Sequence, residues 1–184
     1  MAQTWRGQAE RRRKERPPLD GEGLERLALF YAGRYATTRA KLHDYLKRKL
    51  KERGWGGAGE PPVARIVERF CELGYVNDEA FAASRAASLG RRGYGERRVA
   101  GALRAAGIGE AEAQPALEAA RETAWTAALR FAERKRLGPY AAAPPDRDAR
   151  RKAAAAMLRA GHPLDIVRRV LDASPGDVPD PDFP

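Results

Sequence analysis

The residues able to do chemistry are few and poorly placed for catalysis. His43 and His162 are the only histidines and lie far apart in the sequence, and neither belongs to a metal-ligand spacing. Cys71 is the only cysteine and continues a helical stripe of Val63, Ile66, Val67 and Phe70, which makes it a small core residue rather than a nucleophile. The acidic residues are scattered among bases and form no pair suited to acid/base work. The glycine-rich "GWGGAGEPP" (54–62) lacks the preceding strand, lysine and hydroxyl of a phosphate loop. No enzyme, cofactor or metal is therefore expected.

The chemistry the sequence does offer is recognition of anions. Lys41, Lys47, Arg48 and Lys51 point away from the leucines Leu42, Leu46 and Leu50, so one helix buries leucines and shows a basic face. Arg91, Arg92, Arg97 and Arg98 surround Tyr94 in "GRRGYGERR", a pattern that suits phosphates beside a stacking ring; a solvated loop with Tyr94 packed inward is the alternative. Arg151 and Lys152 stand near the start of a third basic helix. These residues, with Tyr94, are the candidate binding set. The formal net charge of +10 over 184 residues favours polyanionic partners through counterion release and steering.

Behind these side chains, nearly every segment from Leu24 onward has helical periodicity and β-branched residues are sparse, so the chain reads as all-α. Helical runs are expected at 24–33, from a cap at Thr38 to a stop at Gly54, at 78–92 with Asn77 or Asp78 as cap, at 121–136 and at 147–160. "LKERGW", "LRAAGI" and "LRAGHP" each place a leucine just ahead of a helix-ending glycine, and Gly54, Gly107 and Gly161 are almost evenly spaced. That spacing predicts three tandem three-helix repeats, at 23–76, 77–120 and 121–173, packed into an elongated, curved body. A disordered basic arm is expected at 1–22 and an acidic, proline-rich tail at 174–184, which can fold back on basic residues. No stretch is apolar enough for a signal peptide or a membrane span, and one lone cysteine fits a reducing, cytoplasmic location. Trp55 and Trp125 are expected to be packed; Trp5 falls in the arm.

"TTRAKL" leading to "RKLKERGW", then "CELGYVNDEAFAAS", "RRGYGERRVAGALRAAGI" and "LRAGHPLDIVRRVL" together resemble the RecX family of recombinase regulators. The most specific portion is Gly74, Tyr75, Asn77, Asp78 and Phe81, followed by Arg92, Gly93, Tyr94 and Gly95. The resemblance spans roughly Leu24 to Ala173. It implies a monomeric, non-catalytic protein that binds in the groove of the RecA filament on single-stranded DNA, with double-stranded DNA as a further ligand. The usual effect it implies is restraint of ATP hydrolysis and strand exchange in recombination, DNA repair and the SOS response. The chain departs from that pattern in a Thr38–Gly54 segment about one turn longer, in Lys41 where an acidic residue is usual, and in both tails. Two other readings follow from the residues alone: a general basic nucleic-acid binder with no recombinase partner, and a helical scaffold for an acidic protein.

Overall fold

Thr38 sets the first basic helix as its spacing predicts: the side-chain oxygen accepts from the Lys41 amide at 3.2 Å and caps the helix. In the computed structural model, which describes residues 17–180, nine α-helices follow one another. They are α1 (Gly21–Arg34), α2 (Arg39–Arg53), α3 (Val63–Glu72), α4 (Asp78–Arg91), α5 (Glu96–Arg104), α6 (Glu110–Glu122), α7 (Ala124–Lys135), α8 (Arg147–Arg159) and α9 (Leu164–Asp172). Among the described residues there is no strand, only a single bridge between Leu19 and Trp55. The all-α expectation holds.

Several boundaries differ for local reasons. α1 starts ahead of Leu24 because the Asp20 carboxylate accepts from the Gly23 amide at 2.8 Å and caps the helix earlier. The run expected at 121–136 begins only at Ala124, because α6 continues to Glu122 and Thr123 joins the two helices, its hydroxyl donating to the Ala119 carbonyl at 2.9 Å. Residues 17–20 were expected in a disordered arm, yet Leu19 is buried in the first core. The arginine-rich run and Trp5 lie outside the described residues, as do 181–184.

Three apolar clusters follow the helices in threes. Leu24, Leu42, Leu46, Ile66 and Phe70 form the first between α1, α2 and α3. Leu89, Val99, Leu103 and Ile108 lead the second between α4, α5 and α6, which is otherwise alanine-rich. Phe131, Met157, Val167 and Val170 lead the third between α7, α8 and α9. Burying each large side chain contributes about 1.5–3 kcal/mol, so cores this small depend on what neighbouring units add. Tyr94 packs against both the second and the third.

The evenly spaced glycines are where one unit meets the next. After α5, the Ala106 carbonyl accepts a buried hydrogen bond from the Thr38 hydroxyl at 2.7 Å, so the cap of α2 also grips the following unit. A Cβ on Gly107, whose φ is 73°, would stand 2.3 Å from the Ala40 Cβ. After α8 the arrangement recurs one unit along: the Gly95 amide at the start of α5 donates to the Ala160 carbonyl at 3.0 Å, and the Arg97 amide donates to the Gly161 carbonyl at 3.3 Å. A Cβ on Gly161, with φ of 94°, would approach the Arg98 nitrogen to 2.4 Å. In both junctions a glycine corner of the later unit seats on the amino end of the earlier unit's middle helix. The corner at Gly54 is instead met by the chain's own lead-in, the Leu19 amide donating to the Gly54 carbonyl at 3.0 Å and the Arg53 guanidinium to the Pro17 carbonyl at 2.7 Å. The lead-in covers an edge that would otherwise be left open.

At the other end, residues expected in a disordered tail lie on the third unit. The Gly176 amide donates to the Pro139 carbonyl at 2.8 Å, and Arg169 donates to the Asp180 carbonyl at 2.5 Å.

Candidate nucleic-acid interface

The junctions bring together cations that the sequence scatters. Lys41 comes from α2, Arg85 from α4, Arg92 from the following turn, Arg97 and Arg98 from α5, and Arg159 from α8. They line one groove of about 870 Å³ whose walls carry no carboxylate. Among the described residues none of these six forms an ion pair. Six unneutralised cations around one concavity repel one another, and a bound polyanion offsets that repulsion.

Aromatic rings hold several of these side chains. The Lys41 ammonium lies 4.6 Å from the centre of the Phe81 ring. The guanidinium groups of Arg92, Arg98 and Arg134 lie 5.2, 5.8 and 5.8 Å from the centre of Tyr94. Arg134 also donates to the Arg92 carbonyl. Tyr94 is half-buried, its ring packed inward between two cores as the alternative reading of this loop expected, while Arg92 and Arg98 beside it line the groove.

Of the candidate residues, Lys41, Arg92, Tyr94, Arg97 and Arg98 share this groove. Lys47, Arg48 and Lys51 are exposed on α2 away from it, and Arg48 faces Glu52 at 3.8 Å. Arg91 lines a separate alanine-rich cavity between α4 and α6. On α8, Arg151 pairs with Asp148 at 3.3 Å and Lys152 is exposed. Arg85 and Arg159 were not among the candidates. Each stands apart from the basic cluster of its own alanine-rich helix, and only the packing of units reveals that it joins the others.

His162 lies behind the groove wall. It is fully buried, with Nε2 3.1 Å from the Gly93 carbonyl and its ring edge-on to Phe131 at 5.6 Å. Nδ1 has no partner. Burial pushes its pKa below the ordinary imidazole value, the bond to Gly93 opposing only in part. Because the folded value is the lower one, the unfolded chain takes up the proton first on acidification. Stability is therefore complete above about pH 6.5 and declines as pH falls toward the depressed folded value. Thermal midpoints measured between pH 7 and 5 should fall more steeply for the wild type than for H162Q, whose amide can still reach Gly93; equal slopes would show that His162 contributes nothing to the acid sensitivity.

Cys71 is half-buried against the first core, and burial raises its thiol pKa, with Arg39 partly opposing, so it is a packed thiol rather than a reactive thiolate. His43 is half-exposed beside Asp44, with Nδ1 3.6 Å from the carboxylate. Among the described residues no His, Cys, Asp and Glu cluster could hold a metal ion, and no helix is long and apolar enough to cross a membrane.

Comparison with known proteins fits this geometry. The family model for the second three-helix domain of RecX matches residues 77–117, the segment that supplies Arg85, Arg92, Tyr94, Arg97 and Arg98. The chain is 34% identical over 177 residues to the regulatory protein RecX of Myxococcus xanthus (strain DK1622), covering 89% of this chain and 95% of that protein. It is 38% identical over 94 residues to the regulatory protein RecX of Mycobacterium sp. (strain JLS), covering half of each. The crystal structure of RecX from Lactobacillus salivarius superposes with a TM-score of 0.60 at 22% identity, over 82% of this chain and 94% of that one. A second crystal structure of a regulatory protein RecX gives 0.58 at 21% identity, over 83% and 73%. At these identities the two structures establish the shared fold.

Proposed function

The chain belongs to the RecX family of regulatory proteins, and on that premise we propose that it binds the RecA filament on single-stranded DNA and restrains its ATP hydrolysis and strand exchange, in recombination, DNA repair and the SOS response. The observation that carries this reading is the groove: six cations from all three units, free of ion pairs among the described residues, around a concavity without a carboxylate. A surface assembled across units suits an extended polyanion better than a small anion, because each unit contributes one segment of the contact. Lys47, Arg48, Lys51, Arg91, Arg151 and Lys152 extend the positive field around it and steer association rather than line the seat. Placing the protein on the filament as a monomer, without cofactor or metal and in the cytoplasm, belongs to the same proposal.

Titrating the chain into RecA on single-stranded DNA, with binding to naked DNA measured in parallel, tests it. Hydrolysis is expected to fall at protein concentrations well below those that coat naked DNA. If hydrolysis changes only as the protein saturates the DNA itself, the protein is a general nucleic-acid binder and the groove serves phosphates alone.

A further inference from the structure

The first unit carries a surface that the groove does not account for. Phe30 and Tyr35 at the end of α1 are 58% and 51% exposed, and Leu29 beside them is exposed as well. The Arg34 guanidinium lies 6.0 Å from the centre of Phe30 and 5.8 Å from that of Tyr35, and it makes no ion pair among the described residues. The cluster continues inward: Tyr31 lies 5.5 Å from Tyr35 and stacks on Tyr45 at 4.2 Å with an interplanar angle of 11°. Arg48 and Lys49 stand 5.5 and 5.8 Å from Tyr45, both also facing Glu52. Tyr31 and Tyr45 thus form a packed base beside Tyr35, and the two outer rings, held by Arg34, keep more than half of their surface open.

Large exposed apolar groups gathered in one place mark a binding surface. Two features select the ligand. One guanidinium, that of Arg34, lies beside both exposed rings, an arrangement complementary to a chain that joins flat bases to phosphates. The patch also lies next to the cationic groove along the chain, since Ala36, the residue after Tyr35, is part of the groove lining. A protein partner would need acidic side chains interleaved with apolar ones at the same spacing; a single nucleic-acid strand has both by construction.

We propose that Phe30 and Tyr35 form a base-stacking site for single-stranded nucleic acid, with Arg34 on the adjacent phosphate and the strand continuing past Ala36 into the groove. The inference rests on the reading of the groove as a polyanion seat, and the two make different demands. Stacking needs unpaired bases and is indifferent to salt, whereas phosphate contacts need only charge and weaken as salt rises.

The test uses the full chain, an oligothymidylate, an abasic strand of the same length and charge, and a duplex. The wild type should bind the thymidylate more tightly than the abasic strand. F30A/Y35A should lose roughly tenfold on the thymidylate and nothing on the abasic strand or the duplex, so that the preference for bases disappears. F30Y/Y35F, which keeps both π faces, should retain the preference, and F30L/Y35L, which keeps the apolar area alone, should lose it. Both rings are exposed, so helicity by circular dichroism should be the same in all variants. Reversal of Arg97 and Arg98 should weaken all three ligands, which separates failure of the groove from failure of the platform. If F30A/Y35A keeps the wild-type ratio between thymidylate and abasic strand, the platform does not stack bases. If that ratio holds while binding to RecA-coated DNA is lost, the patch docks protein, and the proposal is equally overturned.

Discussion

Reversing Arg97 and Arg98 to glutamate should weaken binding to single-stranded DNA by about a hundredfold or more at moderate salt, while leaving helix content unchanged. Both side chains are exposed at the amino end of α5 and line the groove, and neither forms an ion pair among the described residues, so the change strands no carboxylate and gives up only the contact of Arg98 with the Tyr94 ring. Their backbone contribution is separate: the Arg97 amide holds the Gly161 carbonyl and the Arg98 amide holds the Gly95 carbonyl whatever the side chain. Losing two phosphate contacts should flatten the dependence of log affinity on log salt by about 1.4, at roughly 0.7 per contact for a single strand. The two new carboxylates repel phosphate, which is why reversal costs more than truncation to alanine. R151E/K152E changes the same formal charge on α8, outside the groove and where Arg151 is already paired with Asp148, and should cost less than a tenth as much affinity. Equal losses for the two pairs would mean that net charge governs binding and that the groove has no special place in it. In the RecA assay the Arg97 and Arg98 reversal should likewise abolish restraint of ATP hydrolysis.

What was legible in the sequence, and what was not, divides along the range of the interactions involved. The caps at Thr38 and Asn77 depend on a side chain reaching an amide three residues on, at 3.2 and 2.8 Å, and such signals are written locally. The helix stops at Gly107 and Gly161 need positive φ, and glycine announces that too. Their second role was not visible. No property of "LRAAGI" or "LRAGHP" alone tells that the corner must also leave room for the amino end of another unit's helix. The groove shares that limit. Lys41, Arg97 and Arg98 stand out because they belong to dense basic runs, whereas Arg85 and Arg159 are set off by alanines and other uncharged residues from the basic clusters of their helices and join the groove only when α4 and α8 are brought against α5. The basic runs on α2 and α8 illustrate the converse: Lys47, Lys51 and Lys152 form conspicuous patterns yet remain outside the groove, because charge density along a helix does not say which side of a junction that helix will face.

The junction glycines therefore couple stability to function, and Gly161→Ala should show it. An alanine there would have to adopt a φ of 94° and place its Cβ 2.4 Å from the Arg98 nitrogen and 3.0 Å from the Gly95 carbonyl oxygen, so backbone must move against backbone. Gly74→Ala is the matched control. Gly74 has a φ of 74° but nothing within 4 Å of the added Cβ, so it reports the conformational penalty without the clash. That penalty is about 1 kcal/mol, and Gly161→Ala should exceed it by roughly 2–3 kcal/mol in denaturant unfolding. In a linear array the loss should appear first at the broken contact. Amides of α7, α8 and α9 should exchange faster in Gly161→Ala while those of α1, α2 and α3 keep their protection. The clash also displaces Arg159 from Arg97 and Arg98, so this variant should bind single-stranded DNA more weakly although it removes no charge. Gly74→Ala should bind as the wild type does. If Gly161→Ala matches Gly74→Ala in stability and exchange, the second and third units are held together by something other than this corner. If its stability falls as expected while DNA binding is untouched, the strand is not held by cations on both sides of the junction.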